Sequence, residues 1–480
     1  MIPELHLPWL ELMLLTPLIG ALLTTGLKDA VSAWHRALFT TGLTLFFAIG
    51  AWEDFNLLHV FEAHDHWDLL TPFLGSDAVV IDELNAPLLP LAALLYFLKT
   101  LTTQQTKLRR SSIAGSLFSE VILLSLLVCR EPWGIIALLG IQVIPPALEL
   151  RARGRSPRVF LFHMALFMGL MTCGWGLIQS SASTTTSFPG LLMLVAALLI
   201  RSGSVPVHCW MTDLFENASF GSALLFVTPM AGAYTAVRLL LPIAPDYLLY
   251  MLGLLALITA VYAAGMALVQ KEARRFFCYL FLSHSSLVML GLEIATPLGL
   301  TGGLCVWLSV GMCLAGFGLT LRAVEARTGR LSLANYHGLH EHMPLLAVFF
   351  LLTGLSSIGF PGTVGFVGAE LLVEGVISSY PHVGVLVVIA AALNGIAVLQ
   401  AYFRIFGGKE HTASISLASR LPERIAVWLL SALIIAGGVI PQPGVTSRHH
   451  AALEIISRRP GYHGASPDTA PNEHNGHDHE

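Results

Sequence analysis

The sequence predicts an all-α, polytopic membrane protein of about fourteen transmembrane helices, some of them discontinuous. Composition is the first observation, because 55% of the 480 residues are hydrophobic and only 12% are charged. Soluble domains carry roughly 25% charged residues. The second observation is that long apolar runs recur along almost the whole chain. The third is that the positive charges between these runs fall on one side of the predicted membrane.

Each predicted transmembrane helix corresponds to an apolar run of roughly 20 residues, the length that crosses a bilayer. The runs that qualify are 9–26, 34–51, 86–104, 112–129, 132–150, 158–179, 188–208, 217–241, 247–269, 275–293, 298–321, 343–379, 382–406 and 424–441. One of them, 343–379, is too long for a straight helix. We interpret it as a single interrupted crossing, which gives the count of about fourteen.

Two of these runs contain residues that break helices. The run 343–379 is interrupted by GFPGTVG at 359–365, and the run 188–208 ends in SGSVPVH. We therefore expect breaks near Pro361 and near Pro206. Non-helical backbone inside a membrane is tolerated only within protein or beside a water-filled cavity, so paired breaks point to a transport site.

Lysine and arginine in the loops predict the orientation, because basic loops stay on the cytoplasmic side. With about fourteen crossings, one side carries the basic segments 107–110, 151–158, 271–275, 322–330 and 404–424. Both termini then face outward, in an integral protein of a bacterial-type inner membrane. The polar, histidine-rich tail 442–480 is predicted to be disordered.

Several classes of site are not supported by the sequence. The cysteines are scattered singly and form no CxxC pair, so neither a metal site nor a disulfide framework is predicted. No glycine-rich nucleotide motif and no basic patch with interleaved aromatics occurs, so we expect no nucleotide and no nucleic acid as partners. We expect no cofactor and no catalytic site in this chain alone.

The most polar stretch within the apolar part of the chain is RSGSVPVHCWMTDLFENASFGSALL. It resembles a motif of the antiporter-like membrane subunits of respiratory complex I, the L-, M- and N-type subunits of NADH-quinone oxidoreductase. Relatives occur in membrane hydrogenases, cation/proton antiporters and inorganic-carbon uptake systems. The family has a lysine seven residues before the histidine of P-x-H-x-W-L-P-D-A, then S-A. The matching positions are Arg201, Pro206, His208, Trp210, Asp213, Ser222 and Ala223.

Two further stretches carry the resemblance, LVQKEARRFFCYLFLSHSSLVMLGL at 268–292 and MPLLAVFFLLTGLSSIGFPGTVGFVGAELL at 343–372. The resemblance implies an ion channel built from two inverted five-helix repeats, with a chain of Lys, Glu and His residues at mid-membrane. It also implies a partner that supplies the coupling. The expected segments are 1–104 (N-terminal spans and an outer acidic loop), 112–241 (first repeat), 247–406 (second repeat), 424–441 (last span) and the tail 442–480.

The chain departs from this family pattern at the relay positions. Arg201 stands where the seventh span of the family has its lysine, and Met230 stands at or near the eighth-span lysine. The fifth-span glutamate falls at Ile141 or Gln142, and the twelfth-span glutamate falls beside Glu370. An arginine is always protonated and is a poor relay, because a relay must release and regain a proton.

The candidates for an ion path are the ionisable groups that remain in or beside apolar runs: Glu120, Arg201, His208, Asp213, Glu216, His284, Glu370 and Glu374. Arg201 either holds a water chain or forms a structural ion pair, with Glu120 as the nearest candidate. His208 either lines a cytoplasmic mouth or caps a helix at the break. Asp213 and Glu216 either serve the path or lie at a helix start, where acids are favoured by the dipole.

The remaining candidates lie in the predicted second repeat. His284 is mid-span, and an unperturbed imidazole titrates near neutral pH. Glu370 and Glu374 are spaced i,i+4, so they share one face of the helix after the second break. We expect His284 to bridge water to these two carboxylates.

Two hypotheses follow from the sequence. The first is a proton- or cation-translocating subunit that lies in the lipid bilayer and assembles with other membrane subunits. The second is a non-conducting structural subunit of such a complex, or the membrane subunit of an inorganic-carbon uptake system. Oxidoreductase activity would belong only to the whole complex.

Overall fold

The protein is represented by a computed structural model that describes residues 3–27, 29–65, 79–103, 112–181, 187–409 and 418–459. Within these residues, eight helices are long and apolar enough to cross a membrane. The chain is therefore an all-α, polytopic integral membrane protein, as predicted. Every apolar run of the sequence contains helix, while the count of about fourteen crossings and the two inverted repeats stay predictions.

The N-terminal segment combines helices with a small sheet. Its elements are α1 (Trp9–Thr25), α2 (Ala30–Leu58), β1 (Glu62–His64), β2 (Val80–Asp82) and α3 (Leu88–Leu101). Helix α2 begins after Asp29, whose carboxylate accepts hydrogen bonds from the backbone amides of Val31 and Ser32. The strands pair antiparallel, with Ala63 opposite Ile81. The sheet therefore brings the end of α2 close to the start of α3.

The segment 112–241, which we call the first half, consists of short helices with frequent breaks. Its elements are α4 (Ile113–Val128), α5 (Pro132–Gln142), α6 (Ile144–Ala152), α7 (Arg158–Ser180), α8 (Phe188–Ser202), α9 (Cys209–Asn217), α10 (Phe220–Val227), α11 (Ala231–Thr235) and a π-helical turn, Ala236–Leu240. The gap between α8 and α9 contains Pro206, which confirms the break predicted there. Two other predicted runs are divided as well, at Val143 and at Met230.

The segment 247–406, the second half, has longer and more deeply buried helices. Its elements are α12 (Asp246–Val269), α13 (Ala273–Glu293), α14 (Pro297–Thr328), α15 (Pro344–Ser357), α16 (Val364–Ser379) and α17 (Pro381–Phe406). Pro361 lies in the gap between α15 and α16, which confirms the second predicted break. A Cβ atom on Gly302 of α14 would lie 2.6 Å from the backbone nitrogen of Leu372 in α16. Glycine therefore allows these two helices to pack closely.

The last described elements are α18 (Leu421–Val439) and α19 (Gln442–Ser457). Helix α19 corrects the expectation that the tail is disordered from residue 442. It is amphipathic, and burial of one face against the protein stabilises it despite its polar composition. The buried residues of that face are Arg448, Ala451, Ala452, Ile455 and Ile456. Residues 460–480, the rest of the predicted tail, lie outside the described residues.

Two arginines fasten α19 to distant parts of the chain. The guanidinium of Arg448 donates hydrogen bonds to the backbone carbonyls of Glu83 and Leu84, just before α3. Arg459, just beyond the helix, forms an ion pair of 2.5 Å with Asp246, the first residue of α12. Helix α19 therefore joins the N-terminal segment to the second half.

Candidate ion path

The first break lies inside the protein and is held by a buried tryptophan. Gly203 follows the last residue of α8 in the left-handed conformation, with φ of 73°, which glycine adopts without steric cost. The end of a helix leaves backbone carbonyls without intrahelical partners. The indole Nε1 of Trp210 donates a 2.8 Å hydrogen bond to the carbonyl of Ile200 and so satisfies one of them.

Arg201 is buried in the last turn of α8, beside this break. Its Nη2 donates a 2.9 Å hydrogen bond to Oε1 of Gln142. The guanidinium carbon lies 4.4 Å from the ring centroid of Phe226 and 5.8 Å from that of Trp210. In the structure, Arg201 therefore contacts a neutral amide and two aromatic rings rather than Glu120. This setting holds a fixed positive charge, which can order water but does not release a proton.

A third interruption, which the sequence reasoning missed, lies at Met230. This residue has the left-handed conformation, φ 51° and ψ 52°, which costs a non-glycine residue about 1 kcal/mol. Beside it is a cavity of about 20 Å³ lined by Arg201, Ser202, Met230 and Ser285, among others. A cavity of this volume is large enough for a single water molecule. Pro229 was the available signal for the interruption.

His208 lies between two aromatic side chains at the start of α9. It occupies the N-cap position, but its side chain makes no capping hydrogen bond. Its ring centroid is 5.7 Å from that of Tyr262 and 5.9 Å from that of Tyr279. The structure therefore does not support the capping alternative for His208, which is a half-buried imidazole against tyrosine rings.

Asp213 and Glu216 lie in the second part of α9, so the expectation that they start a helix is wrong. Asp213 accepts a 2.9 Å hydrogen bond from the side-chain amide of Asn217. Glu216 forms an ion pair of 2.7 Å with Arg275, and both side chains are more than one-third exposed. An exposed pair of this kind contributes at most about 1 kcal/mol to stability. Both acids are thus engaged in local contacts at the helix surface.

A buried cluster on α3 and α4 contains the predicted candidate Glu120 together with Lys99, which the sequence reasoning missed. Nζ of Lys99 donates a 2.7 Å hydrogen bond to Oγ of Ser116. Glu120, the next turn along α4, is fully buried, and neither carboxylate oxygen has a hydrogen-bond partner among the described residues. Lys99 supplies the positive charge that acts on this carboxylate. The signal was present in the sequence, because Lys99 is a lysine within the apolar run 86–104.

A cavity of about 460 Å³ lies between α4, α5, α6 and α10. Its lining includes Ser116, which binds Lys99, and Gln142, which binds Arg201. Glu149 also lines it. The volume is sufficient for many water molecules. The cavity therefore touches one hydrogen-bond partner of Lys99 and one of Arg201, while Lys99, Glu120 and Arg201 themselves do not line it.

His284 lies against the second break. It is buried on α13, where its Nδ1 atom is 2.8 Å from the carbonyl oxygen of Leu280. The ring also hydrogen-bonds to the backbone of Ser357, the last residue of α15. The neighbouring Ser283 accepts a 2.8 Å hydrogen bond from the side-chain amide of Asn394. The groups at this break are neutral hydrogen-bonding side chains.

Glu370 and Glu374 share one face of α16, but that face is exposed on the outside of the chain. The opposite face packs on α14, because Gly368 and Gly375 bring the two backbones together. No hydrogen bond or ion pair within the described part of the chain joins either carboxylate to His284. The structure therefore does not bring these three candidates together.

Comparison with known proteins identifies relatives of the chain. Residues 159–394 match the family described as NADH:quinone oxidoreductase/Mrp antiporter, TM. NADH-quinone oxidoreductase subunit M of Rickettsia prowazekii is 28% identical over 268 residues, which are 54% of this chain and 54% of that protein. The chain thus spans about half the length of this relative. Subunit 13 of Thermus thermophilus NADH-quinone oxidoreductase is 28% identical over 425 residues, 82% of this chain and 88% of that protein.

The fold is also similar to that of a solved protein. A chain in the structure of respiratory complex I from Thermus thermophilus with bound NADH has a TM-score of 0.81 at 24% identity, covering 94% of this chain and 100% of that chain. This similarity extends over the N-terminal segment and both halves. The sequence matches support the antiporter-like membrane subunit family of respiratory complex I as the family of the chain, and the solved structure shows the same fold.

Proposed function

We propose that this chain is a proton- or cation-translocating membrane subunit of a multi-subunit complex of the complex I type. The supporting observation is the 460 Å³ cavity that touches the partners of both Lys99 and Arg201. Buried charges are expensive in a membrane protein, so their default interpretation is functional. The family pattern of alternating lysine and glutamate is replaced here by a cluster on different helices.

The roles follow from what each side chain can do with a proton. A buried lysine and a buried carboxyl group both exchange protons near neutral pH, so Lys99 and Glu120 carry the proton in this proposal. Arg201 keeps its charge and orders water at the first break. His284 continues the path at the second break, because a neutral imidazole can accept a proton at one nitrogen and donate from the other.

The placement of the chain in the cell is part of the proposal. The one-sided basic loops support a bacterial-type inner membrane with both termini on the outer face. The segments 112–241 and 247–406 are proposed as the two inverted repeats, since each contains a helix broken at a proline.

A partner subunit is proposed to cover α16. Glu370 and Glu374 are exposed on a helix that is otherwise apolar. A carboxylate facing lipid costs about 2.5–3.5 kcal/mol, so contact with another protein surface is energetically more favourable than contact with lipid. Affinity purification of the full chain from its native membrane should recover other membrane subunits with it. Recovery of the chain alone would contradict this part of the proposal.

Proton flux through the native complex tests the translocation itself. In vesicles with an imposed potassium diffusion potential, an entrapped pH-sensitive dye reports proton entry without any electron donor. Glu120→Gln and His284→Ala should each reduce the potential-driven flux at least about tenfold, because each removes a proton-carrying group. Glu53→Gln is the matched control, since Glu53 is exposed at the end of α2.

The second candidate function is a structural, non-conducting subunit. The pairing of Arg201 with the neutral Gln142 favours it, because that pair cannot exchange a proton. If the wild-type complex shows no flux above empty vesicles, or if Glu120→Gln and His284→Ala both conduct like the wild type, the structural function is the better conclusion.

A further inference from the structure

A separate cavity of about 200 Å³ lies where α12 begins and α13 ends. We call it the Glu293 cavity. Its lining includes Asp246, Tyr250, Glu293, Thr296 and Tyr380. None of these residues belongs to the breaks or to the lysine–glutamate cluster. The cavity is large enough for several water molecules.

Glu293, the last residue of α13, is a buried carboxylate for which the described part of the chain supplies no neutralising partner. Its side chain is buried, with 7% of the residue exposed, and its Oε2 atom has no hydrogen-bond partner among the described residues. The buried acid Asp82 differs, since it pairs with Arg238 at 2.6 Å. An uncompensated buried carboxylate is costly, so it must take up either a proton or a cation.

The surroundings of the carboxylate leave room for such a cation. Gly253 faces it, and a Cβ atom there would lie 3.8 Å from Oε2 of Glu293. Among the described residues, no lysine or arginine lines the cavity. Asp246 at the rim has a side chain 88% exposed and already pairs with Arg459 at 2.5 Å. Glu293 is therefore the carboxylate available to a ligand.

Two tyrosine rings complete the wall of the cavity. The ring centroids of Tyr250 and Tyr380 are 4.7 Å apart, with an angle of 44° between the planes. Aromatic faces attract monovalent cations, particularly in partly desolvated sites. A divalent ion is less suited to this site, because Ca²⁺ takes six to eight oxygen ligands and usually more than one carboxylate.

We propose that the Glu293 cavity binds a small monovalent cation, with the Glu293 carboxylate as its ligand, and forms the end of the ion path in the second half. The cation is either a proton held on the carboxyl group or an alkali ion such as Na⁺. The geometry of the cavity alone supports the binding site, whereas the assignment of this site to an ion path rests on the proposed function.

Binding is measured first, on the complex in lipid nanodiscs without any gradient. In the proton arm, infrared difference spectra between low and high pH, in alkali-free buffer, should show a protonated-carboxyl band that Glu293→Gln removes and Glu53→Gln retains. In the alkali arm, equilibrium binding of radioactive Na⁺ at fixed pH should weaken at least about tenfold in Glu293→Gln, because the charged ligand is lost. If Glu293→Gln behaves like the wild type in both arms, the Glu293 cavity is not a cation-binding site.

A second variant tests the site independently of whether Glu293→Gln folds. Gly253→Val keeps the carboxylate but fills the space in front of it, so it should weaken binding in the same arm as Glu293→Gln. Unchanged binding in Gly253→Val would show that the cavity is not the site. The Glu53→Gln variant again serves as the matched control.

Flux measurements then separate this inference from the proposed function. If Glu293→Gln loses binding and also loses potential-driven flux, the site is on the path. If it loses binding while flux stays at the wild-type level, the path assignment is wrong and only the site remains. If the wild type binds the cation but shows no flux, the proposed function fails and the Glu293 cavity stands.

Discussion

The two halves of the protein share a helix interrupted at a proline-containing segment, but they surround it with different chemistry. In the first half, the guanidinium of Arg201 lies at the break beside a water-sized cavity, and its partner Gln142 lines a large cavity. In the second half, the break meets the neutral groups His284 and Ser357. The difference teaches that the interruption of a helix and the charge placed beside it are independent features.

The largest expected effect tests whether the second half depends on close backbone packing. Gly302→Val would place side-chain carbon against the backbone of Leu372, where even a Cβ atom lies 2.6 Å from nitrogen. Because backbone cannot move aside as a side chain can, we expect a loss of more than about 3 kcal/mol in stability. Thermal unfolding of the purified full chain in detergent measures it.

The control for this substitution lies in the first half. A Cβ atom on Gly169 of α7 would meet nothing within 4 Å. Gly169→Val should therefore unfold within a few degrees of the wild type. If both variants unfold at the same temperature, close packing of α14 on α16 does not distinguish the second half.

An intermediate effect is expected when the first half receives titratable groups at its break. The double variant Arg201→Lys with Gln142→Glu replaces a fixed charge and an amide by two groups that exchange protons. We expect potential-driven proton flux to rise about tenfold, because a buried lysine can release its proton. Gln142→Glu alone should give no increase, since Arg201 keeps its proton. Wild-type flux in the double variant would show that the break does not limit conduction.

The smallest expected effect concerns the attachment of α19, outside the membrane-spanning helices. Burial, together with the charges of Asp82 and Glu62, raises the pKa of Glu454 from 4.5 to about 8, although Arg458 opposes the shift. Between pH 4.5 and about 8, the Glu454 carboxyl group therefore binds more protons in the attached helix than in the detached one. Attachment is therefore strongest below about pH 4.5 and weakens as pH rises through about 8.

Hydrogen–deuterium exchange of residues 442–457, corrected for the intrinsic rate at each pH, measures this attachment. Protection should be greater at pH 5 than at pH 9 in the wild type. Glu454→Gln should remove most of the difference, because the amide does not titrate. An equal pH dependence in both proteins would exclude Glu454 as the cause.

The sequence predicted the features that depend on local pattern. Apolar runs predicted the helices, and the prolines at 206 and 361 predicted two breaks that the structure contains. The partner of Arg201 was not predictable, because it lies 59 positions away along the chain. Glu370 faces outward because the glycines of α16 lie on the opposite side of the helix and pack against α14. Helical periodicity alone does not determine which side of the helix packs inward.

Other features were missed because a sequence does not show which segments pack together. Lys99 was visible within an apolar run, but its contact with Ser116 and its proximity to Glu120 require α3 and α4 to be neighbours. The helical part of the tail has too few apolar residues to suggest order by composition. It is stabilised by a buried stripe and by arginines that reach distant carbonyl and carboxylate groups.

Helix α19 is attached near its middle by Arg448, to the loop before α3, and just past its end by Arg459, to the start of α12. The opposite end of α3 is fastened as well, because the guanidinium of Arg322 in α14 donates hydrogen bonds to the carbonyl of Lys99 and to the hydroxyls of Thr102 and Thr103. The N-terminal segment is thus tied to the second half at both ends of α3. We therefore expect the two to move together as one body when a neighbouring subunit moves.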